Sequence, residues 1–183
     1  NNLNDGMVWG LFPMLLLSKG FDLHETGIIV ATYPAVWGLG QLYTGKLADQ
    51  YCKKTLLFLG MLIQGIALLG MSWANSFSWF IALSSLLGIG TAIVYPTFLA
   101  AISDYTHPAQ RPKSIGIFRL WRDLGYAIGA ILTGLIADRF GLEAPILAIG
   151  LLTVVSSLIL KFRMSCANQQ SALSNLKLQL SPN

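Results

Sequence analysis

Leu86-Leu87-Gly88-Ile89-Gly90-Thr91-Ala92-Ile93-Val94-Tyr95-Pro96-Thr97-Phe98-Leu99-Ala100-Ala101-Ile102 runs without a single charge. With Phe77-Ser78-Trp79-Phe80 ahead of it, the run exceeds the roughly 20 residues a helix needs to cross a hydrocarbon core. A soluble core helix would break such a run with polar residues once every turn or two. The same ruler laid along the chain gives six candidate spans in close succession. They run from the start to Ser18, His24 to Leu47, Thr55 to Ala74, Phe77 to Ile102, Lys113 to Ala137 and Ala144 to Leu160. Asp22 and Glu25 suit an N-cap and its reciprocal partner ahead of the second span. The expected fold is therefore an all-α membrane protein, with residues 1–164 as a helical bundle and 165–183 as a polar tail without fixed structure.

Composition agrees, since 54% of the 183 residues are hydrophobic and only 11% are charged, against roughly 25% charged in soluble domains. The net charge of +4 would suggest nucleic acid in a soluble protein. Here the basic residues sit at the ends of the spans, where they set orientation, and no nucleic-acid partner is expected. Asn1 opens directly onto an apolar run, with no basic segment or cleavage site of a signal peptide, and the chain is expected to continue upstream.

The basic residues are divided unequally between the two sides. Lys46, Lys53 and Lys54, Arg111 and Lys113, Arg119 and Arg122, and Lys161, Arg163 and Lys177 fall on one side; Lys19 and Arg139 fall on the other. The second-to-third loop, the fourth-to-fifth loop and the tail are therefore expected in the cytoplasm, in a multi-pass protein of the plasma (inner) membrane. Cys52 and Cys166 fall on that side, and two free thiols are expected in a reducing compartment.

Thr44-Gly45-Lys46-Leu47-Ala48-Asp49 closes the second span, and Thr133-Gly134-Leu135-Ile136-Ala137-Asp138 closes the fifth. The recurrence marks residues 1–74 and 77–164 as two three-helix units of opposite topology, the inverted repeat of secondary carriers; a chance recurrence in a glycine-rich chain is the competing explanation.

Gly45-Lys46-Leu47-Ala48-Asp49-Gln50-Tyr51-Cys52-Lys53-Lys54 resembles the loop signature of the major facilitator superfamily, with Cys52 where a second glycine is usual and Gln50 where arginine is common. Gly125, Gly129-Ala130 and Gly134 in the fifth span are similar to the family's glycine signature, with Ala130 in place of its proline. Small residues at that spacing let helices approach closely in lipid. Ser84 and Ser85 stand where the family's first half usually carries an arginine, so the resemblance is to the C-terminal six-helix half, spans seven to twelve. The opening Asn1-Asn2-Leu3-Asn4-Asp5-Gly6 is similar to multidrug or sugar efflux members.

The resemblance implies alternating access by rocking of two halves around a midplane site, with a small solute and protons as partners, the lipid bilayer as solvent and no cofactor. Intramembrane polar residues are where such a site is sought. Asn2, Asp5 and Trp9 share one face of the first span; Tyr33, Trp37 and Gln41 form a stripe on the second; Tyr95 and Tyr126 join them from the fourth and fifth. Asp5 is open to two readings, a substrate or proton site and a helix-end residue near water. Arg119 and Asp123, at i and i+4, are expected to form a structural or gating ion pair, with Arg122 beside them. The resemblance makes Gly45, Asp49, Lys53 and Lys54 a gate that holds the inward face shut. Third and sixth spans, with little beyond Gln64, Thr153 and Ser156, are expected at the periphery.

No metal-ligand cluster or nucleophile with a base is present, so an enzyme is not expected. The function expected is half of a secondary active transporter, favouring proton antiport efflux, completed by an N-terminal half or a second copy; a membrane sensor or scaffold on the same fold is the alternative.

Overall fold

The computed structural model describes residues 2–166, and the side chains of all of these but Asp49 and Tyr105. The described residues form seven α-helices and one 3-10 turn, without strands. These are α1 (Leu3–Gly10), α2 (Phe12–Ser18), α3 (Leu23–Gln50), α4 (Lys53–Trp73), α5 (Phe77–Tyr105), α6 (Arg111–Phe140) and α7 (Ala144–Arg163), with the turn at Pro108–Gln110. Segments starting at Lys53, Phe77, Pro108 and Ala144 are long and apolar enough to cross a membrane. At 28 residues α3 would extend about 42 Å, but it carries Glu25, Gln41 and Lys46 along its length and is less apolar.

The first expected span is two helices. Pro13 occupies the first turn of α2 and has no N–H to give the Trp9 carbonyl, so the ladder breaks at Leu11. Ahead of α3, Asp22 accepts from the Glu25 amide at 2.7 Å and Glu25 accepts from the Asp22 amide at 3.2 Å, the reciprocal cap expected there.

Helix α5 packs against α3 and α4, α4 also lies along α7, and α1 lies on α6. These contacts depend on missing side chains. A Cβ on Gly6 would overlap the Tyr126 carbonyl oxygen, and one on Gly129 would come within 2.6 Å of the Leu3 carbonyl oxygen. The α1–α6 crossing is thus backbone against backbone, as small residues permit in lipid. Gly125 meets Asn2 in the same crossing, whereas Gly134 and Gly45 face open space. Around Phe12, Phe80, Tyr33, Leu68, Met71 and Ile146, the main core joins α1 to α5 and α7.

Three cross-links mark the two ends of the bundle. Lys19 reaches Glu143, at the start of α7, at 2.7 Å. Beyond the other end of α7, Cys166 is bonded to Cys52, with their Cα atoms 5.7 Å apart. Lys53 meets Asp104 at 2.5 Å near that second end. The 20 residues of α7 separate the ends by about 30 Å. Lys46, Lys53, Lys54, Arg111, Lys113, Lys161 and Arg163 therefore gather at the end that holds the disulfide.

One expectation is corrected here. Cys52 and Cys166 are not free thiols, because the end of α7 returns beside the start of α4. Helix α4 packs between α5 and α7 and exposes Leu59, Ile66 and Trp73 on its outer face, while Gln64 of α4 and Thr153 of α7 turn inward and are fully or almost fully buried. Residues 167–183, which hold most of the expected tail, lie outside the described residues.

Candidate functional site

The first turns of α1 bring Asn4 and Asp5 into the bundle, both at most 3% exposed. A carboxylate there must be bonded or paired, since an isolated buried charge costs several kcal/mol or more. Its partner comes from α3, where the Tyr33 hydroxyl bonds to Asp5 Oδ1 and also stands 3.3 Å from Thr91 Oγ1 of α5. Thr91 donates to the Leu87 carbonyl at 3.0 Å and accepts from Gln64 Nε2 of α4 at 2.6 Å. Asp5, Tyr33, Thr91 and Gln64 therefore form one polar cluster drawn from four helices, in which the Tyr33 and Thr91 hydroxyls share two protons among Asp5, the Leu87 carbonyl and the contact between them. Such networks hold a polar core in one arrangement when their members are satisfied.

Aromatic rings continue the site. Tyr33 stacks on Trp37 with centroids 6.0 Å apart, Trp37 meets Tyr95 edge-on at 6.2 Å, and Trp9 tilts against Tyr33 at 6.3 Å. From α6, Arg122 Nη1 donates to the Tyr95 hydroxyl at 3.0 Å, and its guanidinium lies 5.6 Å from the Tyr95 ring and 5.9 Å from the Tyr126 ring, within the range of cation–π attraction. Asn2, Asp5, Trp37, Thr91, Tyr95 and Tyr126 border one narrow cleft with room for about one water molecule. Trp37 Nε1 and Gln64 Oε1 are buried without a partner, as are both side-chain atoms of Asn4. Buried donors and acceptors left unmade are costly, and of these atoms only Trp37 Nε1 belongs to a residue that lines the cleft.

Seven of the eight expected cavity residues meet in this cluster: Asn2, Asp5, Tyr33, Trp37, Tyr95 and Tyr126, with Trp9 half-exposed at its edge. Gln41 lies outside it, one turn beyond Trp37 on a half-buried part of α3. Thr91 and Gln64 are the members missing from the expected site. A lone glutamine in the middle of an apolar α4 was itself the signal.

The expected pairing of Arg119 with Asp123 is corrected. Asp123 accepts from the neighbouring Arg122 Nε at 2.9 Å, and Arg119 is exposed. Arg122, pulled over the tyrosine rings, carries Asp123 with it. At the expected gate, Lys53 crosses to Asp104 of α5, Lys54 is half-buried, and Asp49 lies in the last turn of α3.

A helical membrane protein with a charged, aromatic-lined cleft between helices has the architecture of a solute carrier. The sequence model of the Major Facilitator Superfamily matches residues 1–173, and the chain belongs to that family: it is an integral membrane protein, and the family points to a transporter and not to an enzyme. It is 28% identical to an uncharacterized MFS-type transporter of Methanocaldococcus jannaschii, over 86% of this chain and 41% of the relative. A niacin transporter of Acinetobacter baylyi is 24% identical over 87% of this chain and 36% of its own length. A 4-hydroxybenzoate transporter of Pseudomonas aeruginosa is 27% identical over 83% of this chain and 34% of its own length. The chain thus spans about two-fifths or less of the relatives it matches.

Proposed function

We propose that this chain is the C-terminal half of a secondary active carrier that moves a small solute by alternating access, driven by protons. The observation that carries the reading is Asp5, a buried carboxylate held by Tyr33 and opening on a cleft walled by aromatic rings. An intramembrane carboxylate is expensive, and a carrier is a protein that has use for one.

On this reading all six segments cross the membrane as two inverted three-helix units, residues 1–74 and 77–164. The alignment that lays Thr44-Gly45 on Thr133-Gly134 also lays Gly40 on Gly129 and Trp37 on Tyr126. Both glycines sit at helix crossings, and both rings border the cleft, which supports the repeat. The basic end faces the cytoplasm of a plasma (inner) membrane, supported by the gathering of lysine and arginine there. Gly45, Asp49, Lys53 and Lys54 form part of the inward gate by the family resemblance, so Asp49→Asn biases the carrier toward its inward-open form. The N-terminal half completes the cavity, and direction is outward, by exchange for protons.

The cargo we favour is a small aromatic solute. Rings at Trp37, Tyr95 and Tyr126 offer faces for stacking, and Arg122 offers a charge for an acid group. Two relatives are named for niacin and 4-hydroxybenzoate, both aromatic acids, which supports this class. The test is flux of radiolabelled aromatic acids by the full-length carrier in proteoliposomes, with and without a pH gradient. Movement that stops with a protonophore and with Asp5→Asn is the expected result. A protein that binds but never exchanges solute would instead be a sensor or scaffold.

A further inference from the structure

We propose that Cys52 and Cys166 form a reversible thiol–disulfide site, a redox-responsive clasp at the basic end of the bundle. Their Cα atoms, 5.7 Å apart, are within the range a disulfide spans without moving backbone. Both sulfurs occupy element ends: Cys52 is the N-cap of α4, and Cys166 follows α7 by three residues. Cys166 is exposed and Cys52 half-buried, so soluble thiols reach the bond. The amino end of α4, followed at once by Lys53 and Lys54, presents positive charge to the Cys52 sulfur, the setting in which a cysteine reacts.

Two facts together make the bond a switch. The end that holds it carries most of the chain's lysine and arginine, which on the placement proposed above puts it in the cytoplasm. Disulfides there are rare, and those that form are mostly transient and redox-sensing. The clasp inherits this reading of sidedness, and it goes beyond it.

Glutathione disulfide is the oxidant class. The Cys52 thiolate attacks one of its sulfurs, breaking that S–S bond and releasing one glutathione thiolate. The Cys166 thiolate then attacks the Cys52 sulfur of the mixed disulfide, forming the clasp and releasing the second glutathione. Two electrons pass to glutathione, and the two protons lost by the cysteines are taken up by the released thiolates. Closing the bond ties residues 114 apart in sequence and fixes the α3–α4 turn to the end of α7.

The test uses the full-length carrier with its other cysteines replaced by serine. Membranes are equilibrated over a range of reduced to oxidised glutathione, quenched with acid and labelled with a maleimide polymer that shifts the band on a gel. The expected result is a single transition from two labels to none, lost in Cys52→Ser and Cys166→Ser, with the oxidised form melting at a higher temperature. Two labels at every ratio, or none even in the most reducing buffer, would overturn the proposal. After reduction, a membrane-impermeant maleimide should label inverted vesicles and not intact cells. Labelling of intact cells defeats the sidedness reading and the switch with it, whereas correct sidedness with no transition defeats the switch alone.

Discussion

Helices α5 and α6 are neighbours of similar length and opposite circumstance. Half of the most apolar stretch of α5 is buried inside the bundle, against 11% for α6. If both were exposed to lipid alone, the less buried helix would be the more apolar. The reverse holds: α6 is the least apolar of the four long spans and exposes Arg119 and Asp123 on its surface. Charges on a lipid-facing surface are costly, so this face of α6 is shaped for water or for protein. The comparison teaches that exposure in this helical bundle has two meanings, and that polarity separates them. On the function proposed above, the N-terminal half and the cavity between the halves would cover this face of α6.

Substitutions can break or sharpen this contrast. The largest effect is expected where α6 is anchored: Gly6→Leu drives a side chain into the Tyr126 backbone and should cost about 3 kcal/mol or more. Loss of folded carrier, read by its melting temperature in detergent, checks this. Gly134→Leu on the open side of the same helix should change stability by no more than about 0.5 kcal/mol. Next, Asp5→Ala should lower transport about 100-fold, the loss of a charge-assisted bond worth about 2.7 kcal/mol. Tyr33→Phe should lower it about tenfold, for the loss of about 1.4 kcal/mol. Folded yield of Asp5→Ala near that of the parent separates function from stability there, whereas Tyr33→Phe leaves the buried Asp5 carboxylate without its partner and should also lower the melting temperature.

On the exposed face, Arg122→Gln removes the guanidinium from Tyr95 and Tyr126 and should weaken transport by a factor of about 5, roughly 1 kcal/mol. An unchanged flux would mean that the charged face of α6 serves the partner half and not the solute. The smallest effect is expected at the basic end, where Asp104→Asn breaks the pair between a half-exposed Asp104 and Lys53 and should cost at most about 1 kcal/mol by thermal unfolding.

Much of this was legible in the sequence. Uncharged runs and charge asymmetry gave the helical membrane architecture, and the spacing of Tyr33 and Trp37 placed both rings on one side of α3. Asp5 was visible because a carboxylate stands out in an apolar span. What escaped reading depended on distance in three dimensions. Gln64 looked like a residue of an outer helix until the packing of α4 against α5 brought it to Thr91. Asp123 looked bound to Arg119 by helical spacing, yet the tyrosines drew Arg122 to it instead. The disulfide joins positions too far apart in sequence for spacing to suggest it, and the compartment argued for thiols.

The break at Leu11 bears on how the site can be dissected. Because Pro13 offers no N–H, the Trp9 carbonyl, one turn beyond Asp5, lacks its helical donor. That oxygen is a hydrogen-bond acceptor written into the main chain near the end of α1, and a scan that trims side chains one by one leaves it in place. Only a change at Pro13 itself, such as Pro13→Ala, restores an N–H at the position that would bond the Trp9 carbonyl.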